Sequence, residues 1–326
     1  MRLPLGLRRT LHNILNPSVF PMLDGSDMLT VLNKVREDAT VMTWEWPIEL
    51  ALRYHYQHLF RLTMPYVFRV RPEDGTIFNH QKELGAPPAN VVTANGRLNE
   101  VGQSRFYAAD NPVTAMLEAR SKPGEIVTLT MFGFRNYSSA SRRLAQVAGM
   151  ARYLSPDVAL EIGEVSHKYD FIRSTVDDFD RFLAVDEWIA NAITRTVPQE
   201  NFRGYYPTIA LGNMVLKTFG LPNALGRPGP RADALLYPSV ATRLRAMNIC
   251  MEPTTAVATY APKRAWTLQF EGIDFNSTPP TAEVKLLSQT KLLGHTGAIE
   301  WTAADLATTR SLFADALSTK AAIEFL

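Results

Sequence analysis

This chain predicts an α+β fold, and three observations support that class. Strand-like segments gather in two groups, over 65–134 and 234–270, where an α/β fold would alternate them with helices. The helical-looking stretches, over 26–37, 47–62 and 141–219, stand between or outside those groups. With 46% hydrophobic content in 326 residues, the chain can bury a substantial core.

Met28, Leu29, Leu32 and Val35 recur at spacings of three and four, so Ser26 through Glu37 should be a helix with one apolar face. A second helix is expected from Pro47 to Leu62, making residues 1–62 a helical N-terminal extension. Pro65 to Pro72 reads as a short strand closed by proline, and Pro72-Glu-Asp-Gly75 is turn chemistry. Residues 79–103, rich in Gly, Pro and Asn, read as a long loop, and loops of that length usually carry function or are disordered.

Arg105 to Ala109 reads as a strand, followed by a helix with Asn111 as N-cap and Pro112 in its first position. Between Glu125 and Phe134, Val127, Leu129 and Met131 alternate with Thr128 and Thr130, the pattern of a half-buried strand. From 141 to 219 the reading turns helical, with Phe182, Val185, Ile189 and Ile193 on a broad apolar face, until Gly220–Pro230 breaks it. Strands are expected again at Ala234–Val240, Ala256–Tyr260 and Ala265–Phe270. The main domain should therefore span 63–275. Residues 276–326 form a C-terminal extension packing on it, with a last helix near Thr302 that Thr302 and Asp305 would cap.

Lys plus Arg total 34 against 32 Asp plus Glu, a formal charge of +2, so no strong field draws the molecule to nucleic acid or membrane. The lone cysteine, Cys250, excludes an intramolecular disulfide and a cysteine-based metal cluster. Its apolar setting, Asn248-Ile-Cys-Met251, reads as a buried structural thiol. The six histidines form no ligand pattern, and no metal is expected. Met1 through Arg9 lacks the apolar run of a secretory signal, and no stretch approaches the roughly 20 apolar residues that span a bilayer. A cytoplasmic protein is the expectation.

Three segments carry chemistry: Asn95-Gly-Arg-Leu-Asn-Glu-Val-Gly102, Phe106-Tyr-Ala-Ala-Asp-Asn-Pro-Val-Thr-Ala-Met-Leu-Glu118 and Ala232-Asp-Ala-Leu-Leu-Tyr-Pro-Ser239. Taken singly they are bland. Arg69 would be an edge-strand surface residue, Tyr107 and Tyr237 half-buried strand aromatics, Glu118 a solvated helix residue and Ser239 a strand-end hydroxyl without a His-Asp partner. Together, and with Phe68-Arg69-Val70 ahead of them, they resemble the RES domain family in order and spacing over roughly 64–262. Leu98 departs from that pattern, which commonly has an aromatic residue there.

The resemblance implies a core related to ADP-ribosyltransferases and an activity that consumes NAD⁺, as the toxin of a bacterial toxin–antitoxin pair. It implies Arg97, Tyr107, Glu118 and Ser239 as catalytic residues, with Arg69, Asn99 and Tyr237 binding substrate. NAD⁺ would be a substrate, with no prosthetic group. The partner would be a helix-turn-helix antitoxin of the Xre type, and a homodimer contact is a further expectation.

The chemistry asks for these residue types independently of the name. Cleaving the nicotinamide–ribose bond leaves an oxocarbenium-like sugar that a carboxylate stabilises. An arginine fork matches pyrophosphate oxygens. The acceptor stays open: water or phosphate would make a depleting enzyme, and a protein side chain a mono-ADP-ribosyltransferase. A catalytically silent binding module is the reading from a different class. No G-x-G-x-x-G fingerprint or phosphate loop occurs, so a Rossmann-type site finds no support.

Overall fold

A computed structural model describes residues 25–35, 39–55, 59–73, 78–140, 142–149, 179–198, 202–217, 231–242, 246–276, 281–290, 297–306 and 322–325. Helix α1 (Gly25–Lys34) forms where the three-and-four spacing put it, with Met28 and Leu32 buried. Helix α2 (Val41–His55) starts earlier than Pro47 and holds that proline inside it. Trp44, Ile48, Ala51 and Leu52 give it a buried face at helical spacing, and this burial outweighs the hydrogen bond that proline removes. It also stops short of Leu62, because Leu59–Arg61 is a strand, β1.

The segments that carry the motif run β2 (Tyr66–Pro72), β3 (Phe106–Ala109), α3 (Pro112–Glu118) and β4 (Ile126–Phe134). Asn111 caps α3 as expected: its side chain accepts from Thr114 N, and Pro112 occupies the first turn. The chain continues through β5 (Leu144–Val147), α4 (Phe179–Thr194), α5 (Tyr206–Lys217), β6 (Ala234–Pro238) and β7 (Met247–Met251). It ends with α6 (Pro253–Thr259), β8 (Tyr260–Asp274), β9 (Thr281–Thr290), β10 (Trp301–Ala303) and β11 (Ala322–Phe325).

Four of these overturn local expectations. The 79–103 segment contains a helical turn at Gln81–Leu84, capped by His80 with Glu83 reaching back, so it is not loop throughout. Strand β5 lies inside the stretch read as helix: Ala145 and Val147 are buried beside β6, and a short, fully buried apolar run looks alike in either state. Residues Ala256–Thr259 belong to α6 and not to a strand, since Pro253 opens a helix there. Thr302 caps nothing; it sits in β10 and its hydroxyl donates to Gln289 O at 3.2 Å. The Gly220–Pro230 breaker, Arg243, Arg245 and His58 lie outside the described residues.

The strands form one eleven-stranded mixed sheet in the order β1-β5-β6-β7-β3-β2-β4-β8-β9-β10, with β11 beside β9. Pairing is antiparallel except for β5 with β6 and β9 with β11. The protein is α+β. The sheet also runs through both boundaries expected from sequence, since β1 pairs β5 and β9 pairs β8.

Two apolar clusters pack on the sheet. The larger joins Met28, Ile48, Phe182, Ile189, Ile209 and Leu235, linking the long helices to one end of the sheet. The smaller joins Phe68, Met116, Leu129 and Trp266 around α3. Along β2, Val67 belongs to the larger cluster and Phe68 and Val70 to the smaller, so the pleat turns Arg69 to the Val67 side. Among the described residues no helix is long and apolar enough to cross a membrane.

Candidate active site

The centre of the sheet, where β6, β7, β3 and β2 lie side by side, opens into a cleft of about 280 Å³. Its walls include Arg69 from β2, Arg97, Tyr107 from β3, Glu118 from the end of α3, and Tyr237 from β6. Five of the seven residues singled out from sequence therefore line one cavity. The other two, Asn99 and Ser239, stand directly behind it and bond to residues that do line it.

Glu118 ends α3 with its side chain exposed, and its Oε1 accepts two hydrogen bonds: from Ser239 Oγ at 2.5 Å and from Asn248 Nδ2 at 2.8 Å. Both donors are buried. Ser239 is held in turn, its N–H donating to Ala246 O at 2.8 Å and its Oγ accepting from Thr242 N at 3.3 Å. The carboxylate is thus aimed by strand-end groups from β6 and β7, and among the described residues its second oxygen carries no hydrogen bond. Locally the sequence demands this. Asn111 and Pro112 fix where α3 starts, and seven residues later the helix delivers Glu118 to the sheet edge.

The Arg97 loop is assembled differently. Gly96 and Asn99 form an isolated bridge, with Gly96 N donating to Asn99 O at 2.9 Å. A Cβ on Gly96 would lie 2.3 Å from Asn99 Oδ1, so this position needs glycine for close approach. The Tyr107 hydroxyl accepts from Leu98 N at 3.0 Å and donates to Asn99 Oδ1 at 2.9 Å, closing the loop onto β3. Helix α5 seats the loop from the other side: Thr208 donates to Arg97 O, and Gly212 lets the helix approach buried Leu98. The departure at Leu98 is therefore a matter of packing. Buried Arg105 ties the loop's far end down through Leu98 O, Asn213 and an ion pair with Glu252.

The two arginines expected to meet substrate are partly committed to the protein. Arg97 donates through Nη1 to Ile193 O and, at 3.1 Å, to Arg195 O, which caps the end of α4, and its guanidinium lies 5.6 Å from the Tyr205 ring centre. Arg69 donates to Tyr107 O at 2.7 Å and stands 5.9 Å from the Phe106 ring, while its Nε is buried without a partner among the described residues. Burial, with Arg71 nearby, lowers the Arg69 guanidinium to about 10, so it stays charged at neutral pH. Burial first, and Cys250 next, raises the Tyr107 phenol well above its ordinary value. At Tyr237 burial is followed by the charge of Glu118. Both hydroxyls stay protonated and remain hydrogen-bond donors. Among the described residues no group of three or more His, Cys, Asp or Glu could hold a metal ion.

No family model matches the chain, and no curated protein matches it.

Sequence reasoning passed over three residues of the site. Asn248 is the second donor to Glu118, and its signal was a polar side chain inside the apolar run Asn248-Ile-Cys-Met251. Tyr205 lies beneath Arg97 from the turn before α5, and Arg120 lines the cleft just past α3. Nothing local marks either one, since both reach the site only through the folding of distant segments. Cys250, in contrast, is the buried structural thiol expected: it sits in β7 between Tyr107 and Leu235, and burial pushes its pKa up to about 12.

Proposed function

We propose that this protein cleaves the nicotinamide–ribose bond of NAD⁺, with an ADP-ribosyltransferase-like core as its scaffold. The observation that carries the reading is Glu118. It is a single exposed carboxylate in a cleft, oriented by Ser239 and Asn248 and surrounded by Arg69, Arg97, Tyr107 and Tyr237. When the glycosidic bond breaks, its electron pair leaves with nicotinamide and positive charge moves onto the ribose. A fixed carboxylate stabilises that charge without reorganising, because two neutral donors hold it in place beforehand.

The remaining residues divide the work. Arg69 carries positive charge into the cleft and has one unpartnered N–H available to an anionic or carbonyl oxygen. Tyr107 and Asn99 hold the loop that presents Arg97, so their part is positioning. The protonated Tyr237 hydroxyl beside Glu118 is placed to donate to a ribose or amide oxygen. Water or phosphate completes the reaction as acceptor, which would deplete the cell's NAD⁺. A cytoplasmic setting and a helix-turn-helix antitoxin that covers the cleft belong to the same reading.

The test is product analysis of NAD⁺ incubated with wild-type and Glu118→Gln protein, with and without phosphate. Nicotinamide release should fall by about 10²–10³-fold in the variant. ADP-ribose or its phosphate would then name the acceptor, and labelled protein would move the acceptor to a side chain. Equal, undetectable turnover in every condition, protein acceptors included, would overturn the reading.

A further inference from the structure

A second cavity, of about 590 Å³, adjoins the cleft and shares Gly96, Arg120 and Tyr205 with it. Its other walls include Val101, Val197, Pro198 and Phe202, so it is largely apolar, and Phe202 is exposed. The first cleft, at about 280 Å³, falls at the small end of ligand pockets, which run roughly 300–1,000 Å³. A dinucleotide held at Glu118 by its nicotinamide end has to continue past the shared wall.

Arg120 stands at that junction in an unusual backbone state. It is the one non-glycine residue with positive φ, 57°, among those described. It occupies the position just past the last turn of α3: Arg120 N donates to Leu117 O, and Ser121 N reaches back to Met116 O at 3.1 Å. Helices that end this way favour glycine there, and a side chain costs stability. Arg120 also differs from the other arginines of the cleft. Arg69 and Arg97 bond to backbone carbonyls, whereas the Arg120 guanidinium has no hydrogen bond or ion pair among the described residues.

We propose that Arg120 grips the diphosphate of the substrate as it crosses between the two cavities, and that the second cavity seats the nucleoside at the other end. This rests on the NAD⁺ reading above and assigns it a positioning and specificity residue. A planar guanidinium offers paired, charge-assisted bonds to phosphate oxygens, and its freedom from internal partners leaves that fork available. Its place at the end of a short helix, two residues past Glu118, couples phosphate binding to the carboxylate's position.

Isothermal titration in a Glu118→Gln background, where turnover is stopped, separates binding from chemistry. Arg120→Gly suits the backbone and should raise the thermal midpoint, yet weaken NAD⁺ and AMP by about tenfold or more, the worth of one charge-assisted bond. Nicotinamide riboside, which lacks phosphate, should bind within twofold of the parent. Arg120→Lys should recover part of the loss while keeping the strained backbone. Unchanged NAD⁺ affinity in Arg120→Gly, or an equal loss for nicotinamide riboside, would overturn the role of Arg120 and leave the NAD⁺ reading standing. A parent protein that binds neither NAD⁺ nor AMP would remove both together.

Discussion

Glu118 and Arg97 line the same cleft, yet the protein holds them by opposite means. Glu118 is oriented by two side chains, Ser239 and Asn248, that reach it from β6 and β7 across more than a hundred residues of chain. Arg97 is oriented by backbone carbonyls at the end of α4, and its loop by a web of bonds to Tyr107, Thr208 and Asn99. The carboxylate keeps an oxygen free, while the arginine satisfies carbonyls that would otherwise lack partners where the helix ends. One motif thus contains a residue poised for chemistry and another that largely holds the scaffold on which the chemistry stands. Damage to the two should differ in kind: turnover should suffer first on the Glu118 side, and stability together with affinity on the Arg97 side.

The largest effect on the loop side is expected from Gly96→Ala. The new Cβ meets Asn99 Oδ1, so Asn99 must move and release Tyr107. Freeing these buried polar groups should cost about 1–3 kcal/mol, read as a lower thermal midpoint together with a raised KM for NAD⁺. A Gly96→Ala protein with normal stability and altered kcat alone would break the comparison.

Ser239→Ala sharpens it from the other side. The Glu118 carboxylate loses one of its two donors but keeps Asn248. We expect kcat to fall about tenfold, with KM moving much less, because a hydrogen bond to a charged group is worth roughly 1.5–3 kcal/mol and only part of that acts in the transition state. Steady-state kinetics on purified protein check this. A change confined to KM would make Ser239 a binding residue.

The smallest effect concerns Cys250, which lies behind both sides. Its folded thiol titrates near 12 against an ordinary value near 9, so between those values the unfolded chain gives up a proton that the folded chain keeps. That contribution to stability is complete below pH 9 and is lost as pH rises toward 12. At pH 8 a thiol reagent should leave the native protein unmodified and label one cysteine per chain after unfolding in guanidinium. Rapid labelling of native protein would place the thiol at the surface.

Some of this molecule is written locally. The three-and-four spacing of Met28, Leu32 and Val35, the Asn111-Pro112 start of α3 and the alternation of Val127, Leu129 and Met131 each specify an element through neighbours a few residues apart. All three elements appear where the pattern put them. The motif residues Arg69, Arg97, Tyr107, Glu118 and Tyr237 could likewise be picked out, because their order along the chain is itself the signal.

Other features depended on burial and long-range pairing. Strand β5 and helix α6 were misread because a short apolar run is compatible with either state until a neighbouring strand or a packed helix selects one. Asn248 as a partner of Glu118, Tyr205 beneath Arg97 and Arg120 at the meeting of two cavities follow from contacts between segments far apart in the chain. By itself the sequence determined which residue types could do the chemistry and where the locally coded helices and strands begin. Only the tertiary structure decided which of those residues face the cleft and which stand behind it, because the partners of a side chain are set by the packing of the whole sheet.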